Sequence, residues 1–438
     1  MTTTDLRSAV DGRVLLPGDD GFEQASKAWN LAIDQRVAAV VEAAGAGDVA
    51  ATVAYARRSG LAVAAQPTGH GASGDTDGVI LLRTGRLDEL HVNPEERTAR
   101  VGAGVQWGRV LAAAGTHGLT GLAGSNPVVG VTGYTLGGGV SWFGRKHGFA
   151  ADSVRAFDVV TADGEQARVT ADTDPDLFWA LRGAGGDFAL VTAIEFDLYP
   201  APSLYGGSLM WPGHRTREVF DAFLEITAEA PDELSVWFNR MQFPQAPPMV
   251  GLAVAFLGEE AEGRALLARL DKIDGVIADK RGPVAVANLG DITAEPTDPA
   301  PARSRTELLT RLDDAAIEIL TGPPIEPLVG LQLRHLGGAL AASRPGAGPS
   351  GPMTEPYMLY LLGLALNPEM SAVVGAKQAG LAEELGARVS GRKPYTMLAR
   401  GERAAAAFAE ETTIARLREI KRARDPQGVL RANFPVLA

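Results

Sequence analysis

Residues 124 to 148 read GSNPVVGVTGYTLGGGVSWFGRKHG, with Gly130, Gly133, Gly137, Gly138 and Gly139 crowded into one loop. Glycine without a Cβ reaches positive φ and lets backbone N–H groups approach a ligand closely, as phosphate cradles require. The segment is neither the dinucleotide fingerprint G-x-G-x-x-G after a strand nor a P-loop, because no terminal Gly-Lys-Ser/Thr follows. Taken alone it is equally a glycine-rich turn needed for close packing. A second loop of the same kind lies about 50 residues upstream, QPTGHGASG at 66 to 74, where His70 stands between Gly69 and Gly71. Each loop follows an apolar run, and together they predict two sides of one anionic ligand's seat.

Composition narrows what that ligand can be. The chain has 438 residues, a formal net charge of -12 and no cysteine. The negative balance argues against nucleic acid, whose binders concentrate positive charge. The missing cysteines remove disulfides, thiolate metal sites and thiol nucleophiles together. No metal is expected. The first twenty residues show no basic-then-apolar leader and no long apolar run follows, so a cytoplasmic protein without membrane segments is expected.

The periodicity predicts an α+β protein. Residues 34 to 64 read as strand, helix, strand, with Asp48 as a helix cap. VRAFDVVTADGEQARVT reads as a hairpin turning at Ala162-Asp163-Gly164, DPDLFWALRG as a helix and FALVTAIEFDLYP as a strand. After Tyr199-Pro200-Ala201-Pro202 the texture changes. ELSVWFNRMQF, MVGLAVAFLG, LVGLQLRHLGG and PYMLYLLGLAL read as longer strands of an antiparallel sheet covered by helices. Residues 342 to 353, ASRPGAGPSGPM, read as a mobile loop, and the stretch ending at Asp425-Pro426 as an amphipathic helix followed by an extended tail.

These segments resemble the FAD-linked oxidoreductases of the vanillyl-alcohol oxidase superfamily, whose cofactor domain is of the PCMH type, in particular the berberine-bridge-enzyme-like branch. The resemblance runs through PGDDGFEQASKAWN (17 to 30), residues 37 to 74, the stretch from GLAGSNPVVG to DVVTADGE, DPDLFWALRGAGGDFALVTAIEFDLYP, LRHLGGAL and RLREIKRARDPQGVLRANFP. It implies a two-part FAD-binding domain, 1–203 and 392–438, with a substrate domain inserted at 204–391. It implies cofactor contacts from Pro67, Thr68, Gly69, His70, Gly71, Ala72 and Ser73, and from Gly124, Ser125, Asn126, Val129, Gly130, Gly133, Gly138, Gly139 and Ser141. Val191 and Asn433 complete that set.

In the family the histidine at the position of His70 is joined covalently to the flavin 8α-methyl. A neutral imidazole is a competent nucleophile near pH 7, although a noncovalent flavin beside His70 is the plainer alternative. Many relatives add a cysteinyl tether where this chain has Asn126, so a single link through His70 is expected. Val129 looks like the type that admits O2, or is simply a packed β-branched residue. Tyr395, in RKPYTMLARGE, matches the family's Tyr-x-Asn tyrosine and is the first candidate for the base. Arg392 and Lys393 supply positive potential beside it, and Met397 departs from the pattern. Tyr360 is the second candidate. Trp237, Asn239, Met241, Arg334, His335 and Tyr357 complete the strand residues of interest, about half of which must face away from any cleft. The resemblance implies an oxidase of a hydroxyl- or amine-bearing metabolite that passes electrons to O2. A dehydrogenase with another acceptor and a flavoprotein scaffold without turnover are the alternatives.

Overall fold

The strand, helix and strand of residues 34 to 64 form as the apolar spacing requires. In the computed structural model, which describes residues 4–438, strand Ala39–Glu42 leads to helix Ala46–Ser59 and strand Ala62–Ala65. The helix buries Val49, Thr52, Val53 and Ala56 on one face and stops at Gly60, whose φ of 67° only glycine adopts readily. Strand Val79–Arg83 lies between the other two and parallel to both. Arg13–Leu15 adds an antiparallel edge at Ala39–Glu42. Asp48 does not cap the helix by itself. Gly45 occupies the cap, and the Asp48 carboxylate instead accepts the backbone N–H groups of Asp11, Gly12 and Ala44 at 2.7–2.9 Å, pinning the edge strand to the helix start.

A second sheet is antiparallel throughout, in the order Leu90–Asn93, Thr98–Gly102, Leu190–Asp197, Val154–Val160, Gln166–Val169. Its last two strands are the expected hairpin, closed by Gly164 N–H donating to Thr161 at 2.9 Å. Helix Trp107–Gly115 packs Trp107, Val110 and Leu111 into the same core as Phe157, Phe178, Phe188 and Phe196.

Residues 205 to 364 build the largest sheet, antiparallel, with its long strands in the order Tyr205–Pro212, Met249–Phe256, Leu234–Met241, Leu328–His335, Tyr357–Leu364, Ala302–Leu309. Strand period 2 divides its side chains. One face, with Trp211, Val236, Phe238, Leu252, Leu333 and Leu361, is buried with residues of helices Thr216–Ala228, Asp314–Thr321 and Pro368–Leu385. The other face turns Trp237, Ala253 and Ala255 into the core built by the first 200 residues. The Ala302–Leu309 strand, ARSRTELL, gives little apolar signal because it is the sheet's edge, where charge is favoured.

Residues beyond 392 return to the first part. Val63 N–H donates to the Val429 carbonyl at 2.7 Å and Arg431 N–H to the Val63 carbonyl at 2.9 Å, extending the parallel sheet by one bridge. Buried Lys421 fixes this return, donating to the carbonyls of Asp187 and Leu430 at 2.7 and 2.8 Å and to the Asp425 carboxylate at 2.8 Å. The 342–353 loop is held rather than free: Arg344 donates to the His147 carbonyl at 2.7 Å, Ser350 to Gly183 at 3.1 Å, and Met353 N–H to Leu340 at 2.8 Å. Among the described residues no helix is long and apolar enough to cross a membrane.

Candidate active site

The His70 loop leaves strand Ala62–Ala65 and turns at Gly69, where φ is 80° and a Cβ would sit 3.1 Å from the Ala28 Cα. That turn lays the His70 ring on Trp29, with centroids 4.2 Å apart and planes 17° apart. Its Nδ1 is paired with the Thr68 hydroxyl at 2.7 Å, while Nε2 is buried and has no partner. Burial lowers the imidazole pKa to about 4, so the ring is neutral at physiological pH. Behind it Gln66 donates to Gln35 at 2.8 Å and to Asn433 at 3.1 Å, and its own Oε1 accepts nothing. Asn433 also stands 3.9 Å from where a Cβ of Gly71 would be. Ala72 closes the turn with an N–H bond to Gly69 at 3.3 Å, and Ser73 Oγ caps Asp75 N–H on the exposed side.

The second loop meets the first at Gly130, where an added Cβ would touch Pro67 at 3.6 Å and Thr68 at 4.0 Å. Gly130 is held by the Gln106 bridge, and Val129 accepts from Trp107 N–H at 3.0 Å. From here the chain enters the short helix Val131–Leu136. Gly133 has open space on its Cβ side, whereas Gly124 is packed against the Tyr134 ring at 3.4 Å. Gly138 and Gly139 serve the close packing that was the plainer reading. Their φ values are 93° and 74°, and a Cβ would lie 2.7 Å from Ser350 Oγ and 2.5 Å from Tyr134 Cε1 respectively. Ser125 and Val191 are buried, and Ser141 Oγ accepts Phe143 N–H at 3.1 Å. Asn126 follows Ser125 on the same loop. Its amide accepts from Val128 N–H and donates to the Pro296 carbonyl, both at about 3 Å, joining this loop to the one that leads into the Ala302–Leu309 strand.

Buried polar atoms without partners gather along these two loops: His70 Nε2, Gln66 Oε1, Thr132 Oγ1, Tyr134 OH, Thr135 Oγ1 and Trp142 Nε1. Such orphans are uncommon in a folded protein, and a cluster of them marks where a polar ligand completes the structure. Alternating donors and acceptors beside glycine backbone fit FAD, with its phosphates, ribityl chain and ring heteroatoms.

The inserted sheet presents its open face to this seat. Strand register aligns Asn239, Gln332, Tyr360 and Thr306 in one row across four strands. The row beside it pairs Trp237 with Arg334. Trp237 stacks on Trp142 of the second loop at 3.6 Å and carries the Arg334 guanidinium 3.8 Å from its ring centre. Two groups that close to one ring occupy opposite faces, so Trp237 is sandwiched. Gln332 donates to Asn239 at 2.7 Å and accepts from Arg334 Nε at 2.5 Å. Tyr360 is half-buried, with Ser304 near it. Burial and the charge of Glu295 push its phenol pKa up, and Arg334 and Ser304 pull it back. Met241 lies two residues beyond Asn239, at the far end of the strand.

Three expectations require correction. Tyr395 is not placed as a base. It is 8% exposed, its hydroxyl donates to the Phe434 carbonyl at 2.9 Å, and burial together with Asp187 pushes its pKa up with no cation to pull it back, as Arg334 does for Tyr360. Arg392 and Lys393 lend it no positive potential, being paired with Glu355, Glu307 and Glu402. Met397 packs beside Phe149, Leu340 and Met358 rather than offering a polar group. His335 and Tyr357 belong to the other side of the sheet: Tyr357 packs on Phe223 under the helices, and His335 Nε2 meets Arg145 at 3.1 Å. Sequence reasoning missed Trp29, Gln66, Gln332 and Glu295. Only Gln66 carried a signal, since it opens the Gly-His-Gly stretch.

Two glycine loops joined by a distant asparagine thus lie under a polar sheet face. A family model for the FAD binding domain matches residues 37–170. (R)-6-hydroxynicotine oxidase of Paenarthrobacter nicotinovorans is 35% identical over 206 residues, 46% of this chain and 45% of that protein. The matched stretch thus spans about half the length of that curated relative. Among solved structures, 6-hydroxy-D-nicotine oxidase from Arthrobacter nicotinovorans superposes with a TM-score of 0.86 over 98% of both chains at 23% identity. BBE-like 1 from Physcomitrella patens does so with a TM-score of 0.87, over 100% of this chain and 99% of that one, at 19% identity. Residues 37–170 thus match an FAD binding domain, and the chain as a whole shares the fold of 6-hydroxy-D-nicotine oxidase and BBE-like 1.

Proposed function

We propose that the protein is an FAD-dependent oxidase of a small hydroxyl- or amine-bearing molecule, with secondary metabolites as its substrate class. The observation that carries this reading is His70: a neutral, buried imidazole with one unpartnered nitrogen, stacked on Trp29 within the loop that the second glycine loop touches. That is the state in which an imidazole can form a single covalent bond to the flavin 8α position, and no thiol competes. Bound FAD would supply the two-electron acceptor, taking hydride from the substrate carbon and passing the electron pair to O2 as H2O2.

This chain's residues supply the rest. Gly130 and Gly71 let backbone approach the cofactor, and Asn433 and Gln66 hold the two parts of its domain together. Tyr360, as the phenolate that Arg334 favours, takes the proton from the substrate hydroxyl as its C–H bond breaks and ends as the neutral phenol. Trp237 and Trp142 wall the cleft and exclude water.

The test is made on purified protein. Acid precipitation should leave yellow colour and flavin fluorescence in the pellet of the wild type but not of His70→Ala. Stopped-flow mixing of the reduced protein with O2 should show fast reoxidation and stoichiometric peroxide. Colour released from the wild type would remove the covalent link, and slow reoxidation would assign the electrons to another acceptor.

A further inference from the structure

We propose that Arg334 is a carboxylate receptor and that the natural substrate is a hydroxy acid; this deepens, and rests on, the oxidase reading. Arg334 is 5% exposed, yet its one hydrogen bond is to a neutral amide, Gln332 Oε1. No carboxylate of the described residues lies within ion-pair distance of it. Glu295, itself half-buried on the exposed loop that Asn126 tethers, acts on it only from farther off.

A buried guanidinium almost always has a charged partner, because its desolvation is otherwise uncompensated. Two other arginines with buried side chains show the usual solutions. Arg145 is wrapped by the carbonyls of Leu234, Ala230 and Leu336 with Asp232 beside it. Arg281, its side chain 5% exposed, is clamped between Asp271 and Asp279. Arg334 has neither solution, and the Tyr134 hydroxyl, near enough to feel its charge, is a second buried group without a partner.

The guanidinium plane is fixed against Trp237, so its remaining N–H groups form a preset fork, the geometry that a carboxylate fills bidentately. The guanidinium carbon is 5.9 Å from the Tyr360 ring centre. A substrate held by its carboxylate on Arg334 therefore presents to Tyr360 a hydroxyl only a few bonds away. Redox balance is that of the oxidase reading: the carbinol C–H leaves as hydride to bound FAD, the O–H proton goes to Tyr360, and the carboxylate is unchanged.

The experiment is calorimetric titration of the FAD-loaded protein with acetate, benzoate and phenylacetate, each against its neutral amide. At least one acid should bind about ten- to a hundred-fold more tightly than its amide. Arg334→Gln should abolish the preference, Arg334→Lys should keep part of it, and Glu295→Gln should keep or strengthen it by removing a competing charge. Equal binding of every acid and amide to the wild type would overturn the inference even if the variants fail to fold. A preference that survives in Arg334→Gln, or an Arg334→Gln effect confined to the flavin reduction potential, would overturn it too. A wild-type protein that holds no flavin overturns the oxidase reading, whereas a flavin-loaded protein without acid preference overturns only this one.

Discussion

The two tyrosines, Tyr395 and Tyr360, separate packing from catalysis in one experiment. Tyr395→Phe removes a hydroxyl that sits at 2.9 Å on the Phe434 carbonyl, in a pocket so closed that a Cβ on Gly185 would lie 2.3 Å from it. The variant leaves that carbonyl unpaired and should cost about 1–3 kcal/mol of stability. For a cofactor part of this size each kcal/mol lowers Tm by roughly 2 °C, so a fall of about 2–6 °C is expected. Its kcat should change little. Tyr360→Phe removes a half-buried phenol on the open face of the sheet. It should leave Tm unchanged and lower kcat by about 100- to 10,000-fold, the usual worth of a positioned proton acceptor, or about 3–5 kcal/mol of barrier. Differential scanning fluorimetry gives the first quantity, and anaerobic single-turnover flavin bleaching, with a substrate found by a peroxide-coupled screen, gives the second. If Tyr395→Phe bleaches a hundred-fold more slowly at unchanged Tm, or Tyr360→Phe bleaches at the wild-type rate, the assignment is refuted.

Acid should unfold the protein through its histidines. Burial lowers His70 and His147 to about 4 and His335 to about 3, with Lys146, Arg344 and Arg145 adding to the last two. Folded-state values below the unfolded 6.5 mean that this stability is present above pH 6.5 and is lost as pH falls toward 4. His70 and His335 should each withdraw about 2 kcal/mol by pH 5 and the more exposed, solvent-screened His147 less, and urea midpoints that stay level between pH 7 and 5 would contradict the burial argument. Two glycines should respond oppositely to alanine. Gly139→Ala, at φ 74° and 2.5 Å from Tyr134, should cost about 2–5 kcal/mol, while Gly380→Ala, inside helix Pro368–Leu385 with nothing within 4 Å, should gain about 1 kcal/mol in a urea titration.

Local order was legible because local physics sets it. Residues 34 to 64, the 161–164 turn and the helix after Asp174 follow from spacing, glycine and a capping carboxylate, read within a dozen residues. The two glycine loops were legible as a pair for the same reason, since both need special backbone. The roof was not. Asn239, Gln332, Tyr360 and Thr306 become neighbours only through the register of four strands, which tertiary packing chooses. Tyr395 was misjudged because its environment comes from Phe434, 39 residues on, and from Asp187, neither visible in RKPYTML. Charge misled in the same way: Lys393 is adjacent in sequence but spends itself on Glu307 and Glu402.

The hydrogen bond from Gln66 to Asn433 joins residues 367 apart in sequence. Translation is vectorial, so the His70 loop leaves the ribosome long before the strand bridge at Val429–Arg431 that steadies it exists. For most of its synthesis the nascent chain has half a cradle, and a flavin meeting it then finds no Asn433. If Asn433 contacts the flavin as proposed, loading and any bond to His70 would be late events, and a flavinylated molecule would be one whose return segment has already docked.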